Sequence, residues 1–178
     1  DLFASRTFSL MLAGLSVFSL IALVAMPWII YVIAPGFSAD PPKYALAVEL
    51  TRVTFPYLLL MSLSALLGGV LNAHDRFAPF ALAPALFNLT LIVALLASGH
   101  VFGNAGYAMA WGVVASGVLQ FVWLWICVRR LGITIRPGRP VLSPRIRRVL
   151  KLMGPGLLGA GVMQINLFAD MIVASLLP

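Results

Sequence analysis

Apolar residues run along this chain in blocks too long for the helices of a soluble domain, with short polar stretches between them. A helix that crosses hydrocarbon needs roughly 20 mostly apolar residues, and five blocks meet that requirement, at about 8–33, 53–71, 78–98, 107–128 and 152–177. The first has no ionisable side chain between Arg6 and Asp40 except Tyr31. It is long enough to tilt, and Pro27 is expected to kink it. Before the second block, Asp40-Pro41-Pro42 has the form of a cap followed by prolines suited to a helix start. Residues 43–52 mix polar and apolar side chains, so this helix is expected to begin in the interface and to cross from Val53. Pro79 lies near the start of the third block and Pro84 inside it, and Asp170 lies inside the fifth. The pattern predicts an all-α membrane protein, a polytopic bundle of about five transmembrane helices.

The connectors differ from one another. Residues 72–77 and 99–104 read as tight turns. The connector 129–151 carries Arg129, Arg130, Arg136, Arg139, Arg145, Arg147, Arg148 and Lys151 and no acid. Within it, Ser143-Pro144 suits a cap and first turn. Ile146, Val149 and Leu150 then share a helical face, with Arg145, Arg147, Arg148 and Lys151 around the rest. That is the pattern of a short amphipathic helix lying on a membrane surface; a solvated loop is the alternative. Five spans place the connectors on alternating sides. One side then collects ten Lys and Arg and the other two, Lys43 and Arg52. Because cytoplasmic loops are enriched in Lys and Arg, the N-terminus, the 72–77 turn and the basic connector are expected in the cytoplasm. Residues 34–52 and 99–104 and the C-terminus are expected outside.

Composition agrees: the chain is 62% hydrophobic and only 10% charged, against about 25% charged in a typical soluble domain. Its net charge of +7 does not imply nucleic acid, because the basic residues sit mainly in one connector between apolar blocks. Cys127 is the only cysteine, so no internal disulfide can form, and in its apolar run it is expected to pack as a small hydrophobe. His74 and His100 fall in separate connectors, where solvated or interfacial positions are expected, and no Cys/His cluster suggests a metal. The chain opens at Asp1 beside an apolar block and closes at Pro178 beside another, as expected of a segment of a longer protein.

Residues 154–159, Gly-Pro-Gly-Leu-Leu-Gly, fit a dinucleotide-binding fingerprint in letters only. No strand precedes them, so the physics of that motif is absent. They read as a flexible helix entry, followed by a stripe of small residues at Gly156, Gly159, Ala160 and Gly161. Ala108, Gly112 and Ser116 repeat at four-residue spacing, a second surface for close helix contact. Asn88-Leu89-Thr90 matches a glycosylation sequon but lies inside a span, where no modification is expected. Four polar residues fall at membrane depth: Asn88 in the third block, and Gln164, Asn166 and Asp170 in the fifth. Asn166 and Asp170 are one turn apart on one face, with Gln164 to one side. An ionisable group inside a span is a functional candidate, weighed against a structural hydrogen bond or a protonated acid near the outer interface. No hydrolytic or redox constellation is visible, so no enzyme activity is expected.

Several stretches together resemble the MurJ/MviN family of lipid II flippases. They are Pro27-Trp28 leading to Ala34-Pro35-Gly36-Phe37; the run 52–60, Arg-Val-Thr-Phe-Pro-Tyr-Leu-Leu-Leu; Gly69-Val70-Leu71-Asn72-Ala73; Ala83-Pro84 with Asn88; and Met153-Gly154-Pro155 continuing to Gln164-Ile165-Asn166. The resemblance implies a multidrug/oligosaccharidyl-lipid/polysaccharide exporter fold of two helix bundles in the bacterial inner membrane, with this chain as helices three to seven. It implies movement of lipid-linked peptidoglycan precursor to the outer leaflet by alternating access to a cationic cavity. The arginines of that cavity would lie mostly on the first, second and eighth helices, outside this chain. The expected partners are the lipid-linked substrate, membrane lipids and the remainder of the parent chain. In the family the seventh helix opens the second bundle, where a bound monovalent cation, Na⁺ or H⁺, is proposed to drive the cycle. Asp170, with Asn166 a turn away, occupies a compatible place; no other cofactor is implied. The alternatives are another exporter of this fold, for polysaccharide-linked lipids or drugs, a membrane-bound transferase, and a purely structural membrane partner.

Overall fold

A computed structural model describes residues 2–98, 104–138 and 144–176. Among these residues seven α-helices follow one another: α1 (Leu2–Ile33), α2 (Pro41–Thr54), α3 (Pro56–Asn72), α4 (Ala78–Ala81), α5 (Ala83–Leu96), α6 (Ala105–Arg130) and α7 (Pro144–Leu176), with a 3₁₀ turn at Pro35–Ala39 between α1 and α2. Among the described residues there is no strand. Four stretches are long and apolar enough to cross a membrane: Leu2–Ile33, Pro41–Asn72, Ala78–Leu96 and Ala105–Arg130. They correspond to the first four apolar blocks, and the chain is an all-α, multi-pass membrane protein. His100, the 99–103 part of its turn, Arg139 and the Ser143 cap lie outside the described residues.

The boundaries keep one expectation and depart from the apolar pattern in two places, each with a local cause. The second crossing helix begins at Pro41, the start that Asp40-Pro41-Pro42 predicts: Asp40 accepts a hydrogen bond from the Lys43 N–H at 3.2 Å and proline occupies the first turn. The helical hydrogen-bond ladder is interrupted at Phe55 and at Leu82, which keep right-handed helical dihedrals, shortly before Pro56 and Pro84, whose missing N–H groups each remove a helical bond. The basic turn at 144–151 and the fifth apolar block form one helix, α7, of 33 residues, with no separate surface helix among the described residues.

The core lies where α1, α3 and α6 meet. Phe8, Leu63, Leu67, Leu71, Leu124 and Val128 are buried together, and Phe8 packs against Trp125 with ring centroids 5.6 Å apart. Ile133 and Ile135, just beyond α6, fold back into this cluster. The Arg136 N–H donates to Ser5 Oγ at 3.2 Å and the Gly138 N–H to Ser9 Oγ at 2.9 Å, so the first part of the basic connector is pinned along the start of α1. The small-residue surface of α6 performs as its spacing predicts. Ala108 and Ser116 are fully buried. A Cβ added at Gly112 would lie 2.7 Å from Ala94 Cβ of α5, and one at Gly117 would lie 2.7 Å from the Tyr57 ring of α3. The second stripe behaves otherwise: a Cβ at Gly156, Gly159 or Gly161 would meet nothing within 4 Å among the described residues.

Candidate functional site

The two ends of the bundle have distinct chemistry. At one end, the N-terminal turns of α1 meet the segment after α6, and Arg76 and Arg130 line one small cavity with Pro79 and Cys127. Arg6, Arg76, Arg129, Arg130 and Arg136 are all exposed there, and Arg129 sits over the Trp125 ring at 5.6 Å. Cys127 is half-buried against the core, as a small hydrophobe would be. The exposed His74 ring lies on the Val70 carbonyl at 2.9 Å, in the turn at the same end. At the other end, Lys43 lies 4.6 Å from the Phe37 ring, and Glu49 of α2 meets the Tyr107 hydroxyl of α6.

Of the basic residues opening α7, Arg147, Arg148 and Lys151 are exposed while Ile146 is buried. This is the amphipathic division read from the sequence. The side chains of Arg145, Val149 and Leu150 lie outside the described part.

Gln164, Asn166 and Asp170 are all exposed on α7. Asn166 and Asp170 are one turn apart. Next to them, Met171, Ala174 and Ser175 form the docked face, which closes a cavity with Ile30, Phe37 and Thr51. Ser175 fixes that dock: it is buried, it accepts a hydrogen bond from the Gly36 N–H at 3.3 Å, and it donates to the Ile172 carbonyl at 2.7 Å. Asp170 therefore stands beside the seam between α7 and the 3₁₀ turn without entering it. It has no hydrogen bond or ion pair among the described residues, and no group of three or more His, Cys, Asp or Glu gathers there.

Asn88 lies elsewhere. It lines a cavity of about 290 Å³ between α3, α5 and α6, with Tyr57, Met61, Phe87 and Gln120. Asn88 and Asp170 thus belong to two separate places.

One residue was not singled out by the sequence reading, and another was given a different place. Gln120 is 6% exposed, and its Nε2 has no hydrogen-bond partner among the described residues. It is an amide in the middle of the apolar run of α6, and the rule that selected Asn88 selects it equally. Arg52 was read as an interfacial charge. Its Nε–H instead donates to the Leu23 carbonyl of α1 at 3.1 Å.

Comparison with known proteins gives one consistent result. The profile of the family described as lipid II flippase MurJ matches residues 1–178. The chain is 37% identical over 177 residues to the probable lipid II flippase MurJ of Rhizobium meliloti (strain 1021), covering 97% of this chain and 33% of that protein. It is 35% identical over 176 residues to the probable lipid II flippase MurJ of Rickettsia prowazekii (strain Madrid E), covering 97% and 34%. It is 33% identical over 166 residues to the lipid II flippase MurJ of Burkholderia cenocepacia, covering 91% and 32%. The chain spans about a third of the length of the curated relatives it matches.

Proposed function

Because this chain belongs to the lipid II flippase MurJ family, we propose that it forms part of a carrier moving lipid-linked peptidoglycan precursor from the cytoplasmic to the outer leaflet of the bacterial inner membrane. The observation that carries the reading is the match of the family profile across every residue of the chain. The physics suits it. A diphosphate head group cannot enter hydrocarbon unaided, and a carrier must offer a polar path whose walls change places. The interruptions near Pro56 and Pro84, and Pro27 inside α1, supply places where such walls can pivot. The basic end of the bundle lies in the cytoplasm, which puts Arg147, Arg148 and Lys151 at the surface of the inner leaflet.

Asp170 takes a monovalent cation, Na⁺ or H⁺, with Asn166 as a neighbouring oxygen ligand. What supports this is the absence of any protein partner for its carboxylate among the described residues and its position beside the α7 dock. A carboxylate repels a diphosphate and suits a small hard cation.

The test is complementation. Bacteria depleted of their own flippase receive the whole native protein that contains this segment, and lipid II reaching the outer leaflet is measured by extracellular labelling. Restored growth with labelled lipid II is the expected result. Lysis with lipid II retained inside, despite confirmed membrane expression, would overturn the proposal.

A further inference from the structure

The proline inside α1 has a specific chemical consequence at one carbonyl. Pro27 has no N–H, so the carbonyl four residues earlier, that of Leu23, loses its helical donor. In water the loss is repaired by solvent. In hydrocarbon there is no solvent, and an unpaired carbonyl is expensive. The Arg52 Nε–H occupies the vacated position, donating to Leu23 O at 3.1 Å. A second donor from the same helix acts four residues further along α1: the Tyr44 hydroxyl donates to Pro27 O at 2.5 Å. Beside both bonds, Met26, Ile30 and Val48 form a buried apolar cluster with Leu23, Tyr44 and Ala47 packed against it. The contacts between α1 and α2 are thus an apolar seam with two polar bonds, both to the backbone around one proline.

We propose that Arg52 is a positioning residue that stands in for the N–H missing at Pro27 and, with Tyr44, locks the course of α1 against α2. Its guanidinium has no carboxylate partner among the described residues, so the carbonyl is its observed anchor. Such a bond is charge-assisted and depends on the fixed planar geometry of the Nε–H, which a lysine ammonium does not reproduce. The lock has a long reach. Beyond Pro27, α1 ends at the 3₁₀ turn, and that turn holds α7 through Gly36 and Ser175. The direction α1 takes after the proline therefore sets where α7 docks.

Ordinary packing would not couple Arg52 to Pro27. If Arg52 serves the carbonyl orphaned by Pro27, restoring the backbone N–H removes the need for Arg52. The experiment compares Arg52→Leu, Arg52→Lys, Pro27→Ala and Pro27→Ala with Arg52→Leu in the whole native protein, purified in detergent and melted. Arg52→Leu is expected to lower the melting temperature by several degrees, and Arg52→Lys to recover only part of the loss. Pro27→Ala is expected to hold or raise the melting temperature while slowing transport, because a pivot is lost. When Pro27→Ala is already present, Arg52→Leu is expected to lose less than half of what it loses with the proline in place. If Arg52→Leu fails to fold but the double variant folds, the proposal stands. An equal loss with and without the proline, or no loss in either case, overturns it. These readouts of stability do not depend on what the protein carries.

Discussion

The seam between α5 and α6 is the place where a single methyl group should separate packing from propensity. The perturbation is Gly112→Ala, and its control is Gly69→Ala. Both glycines lie inside helices, so each replacement gains about 0.5–1 kcal/mol of intrinsic helix stability. At Gly69 nothing lies within 4 Å of the new Cβ, and the gain should appear in full. At Gly112 the new Cβ falls 2.7 Å from Ala94 Cβ and 3.3 Å from Leu91 Cδ2. Carbon atoms prefer a separation of about 3.5–4.0 Å, so the seam must open by roughly 1 Å. Leu91 can turn its side chain away. Ala94 cannot, because its methyl is fixed to the backbone of α5. Overpacking of this kind costs about 1–3 kcal/mol. Gly112→Ala is therefore expected to be the less stable of the two variants by roughly 2 kcal/mol. The assay is equilibrium unfolding in mixed micelles, following loss of helical circular dichroism as denaturing detergent is titrated. A Gly112→Ala protein at least as stable as Gly69→Ala would refute the close approach of α5 and α6.

The other predictions concern topology and the polar positions. Cysteines placed at Arg139 and Gly103 in the whole native protein should be labelled by an impermeant reagent from opposite sides, with Arg139 cytoplasmic; labelling of both from one side would rule out the alternating arrangement of spans. Gln120→Leu should stabilise the protein by about 1 kcal/mol, because it removes a buried donor that has no partner among the described residues; a clear loss of stability would mean that the amide is bonded in the membrane. Asp170→Asn, with expression confirmed, should reduce transport and change its dependence on Na⁺ or pH while substrate still binds; unchanged transport with unchanged ion dependence would make the acid structural.

Four of the crossing segments were legible in the sequence because hydropathy is a property of the chain itself, and in lipid every backbone group must be bonded within its own helix. The small-residue surface of α6 was legible for a related reason. Spacing fixes which residues share a face, and Ala108, Gly112 and Ser116 leave that face little choice but close contact. The helix boundaries were less legible. Among them, the start of α2 at Pro41 was legible in its cap, whereas the interruptions at Phe55 and Leu82 lie inside apolar blocks that hydropathy reads as continuous. The polar sites were the least legible. Asn88 and Gln120 line one groove built from three helices, and no spacing within one helix announces a partner on another. The small residues of α7 show the converse. Gly156, Gly159 and Gly161 have the spacing of a contact surface, but among the described residues nothing approaches them; the pattern fixes a capacity for contact, and the contact itself needs a second surface.

Arg52 changes the weight of the topological evidence. Read from the sequence, it is one of two basic residues on the outward side. In the structure its guanidinium is bonded to a carbonyl ten residues before the end of α1, about 15 Å along the helix. A side chain held there reports on the backbone of α1 and not on the charge of a loop, and the positive-inside rule counts loops and the ends of spans. Removing Arg52 from the count leaves Lys43 alone on the outward side. The structure also joins basic residues that the sequence could only assign by alternation. Arg136 is tied to Ser5, one residue from Arg6, and Arg76 shares a cavity with Arg130. These contacts place the start of α1, the turn after α3 and the segment after α6 at one end of the bundle without any appeal to the number of crossings. The inference that this end faces the cytoplasm then rests on a steeper charge asymmetry than composition alone provides, and the labelling of Arg139 and Gly103 tests it directly.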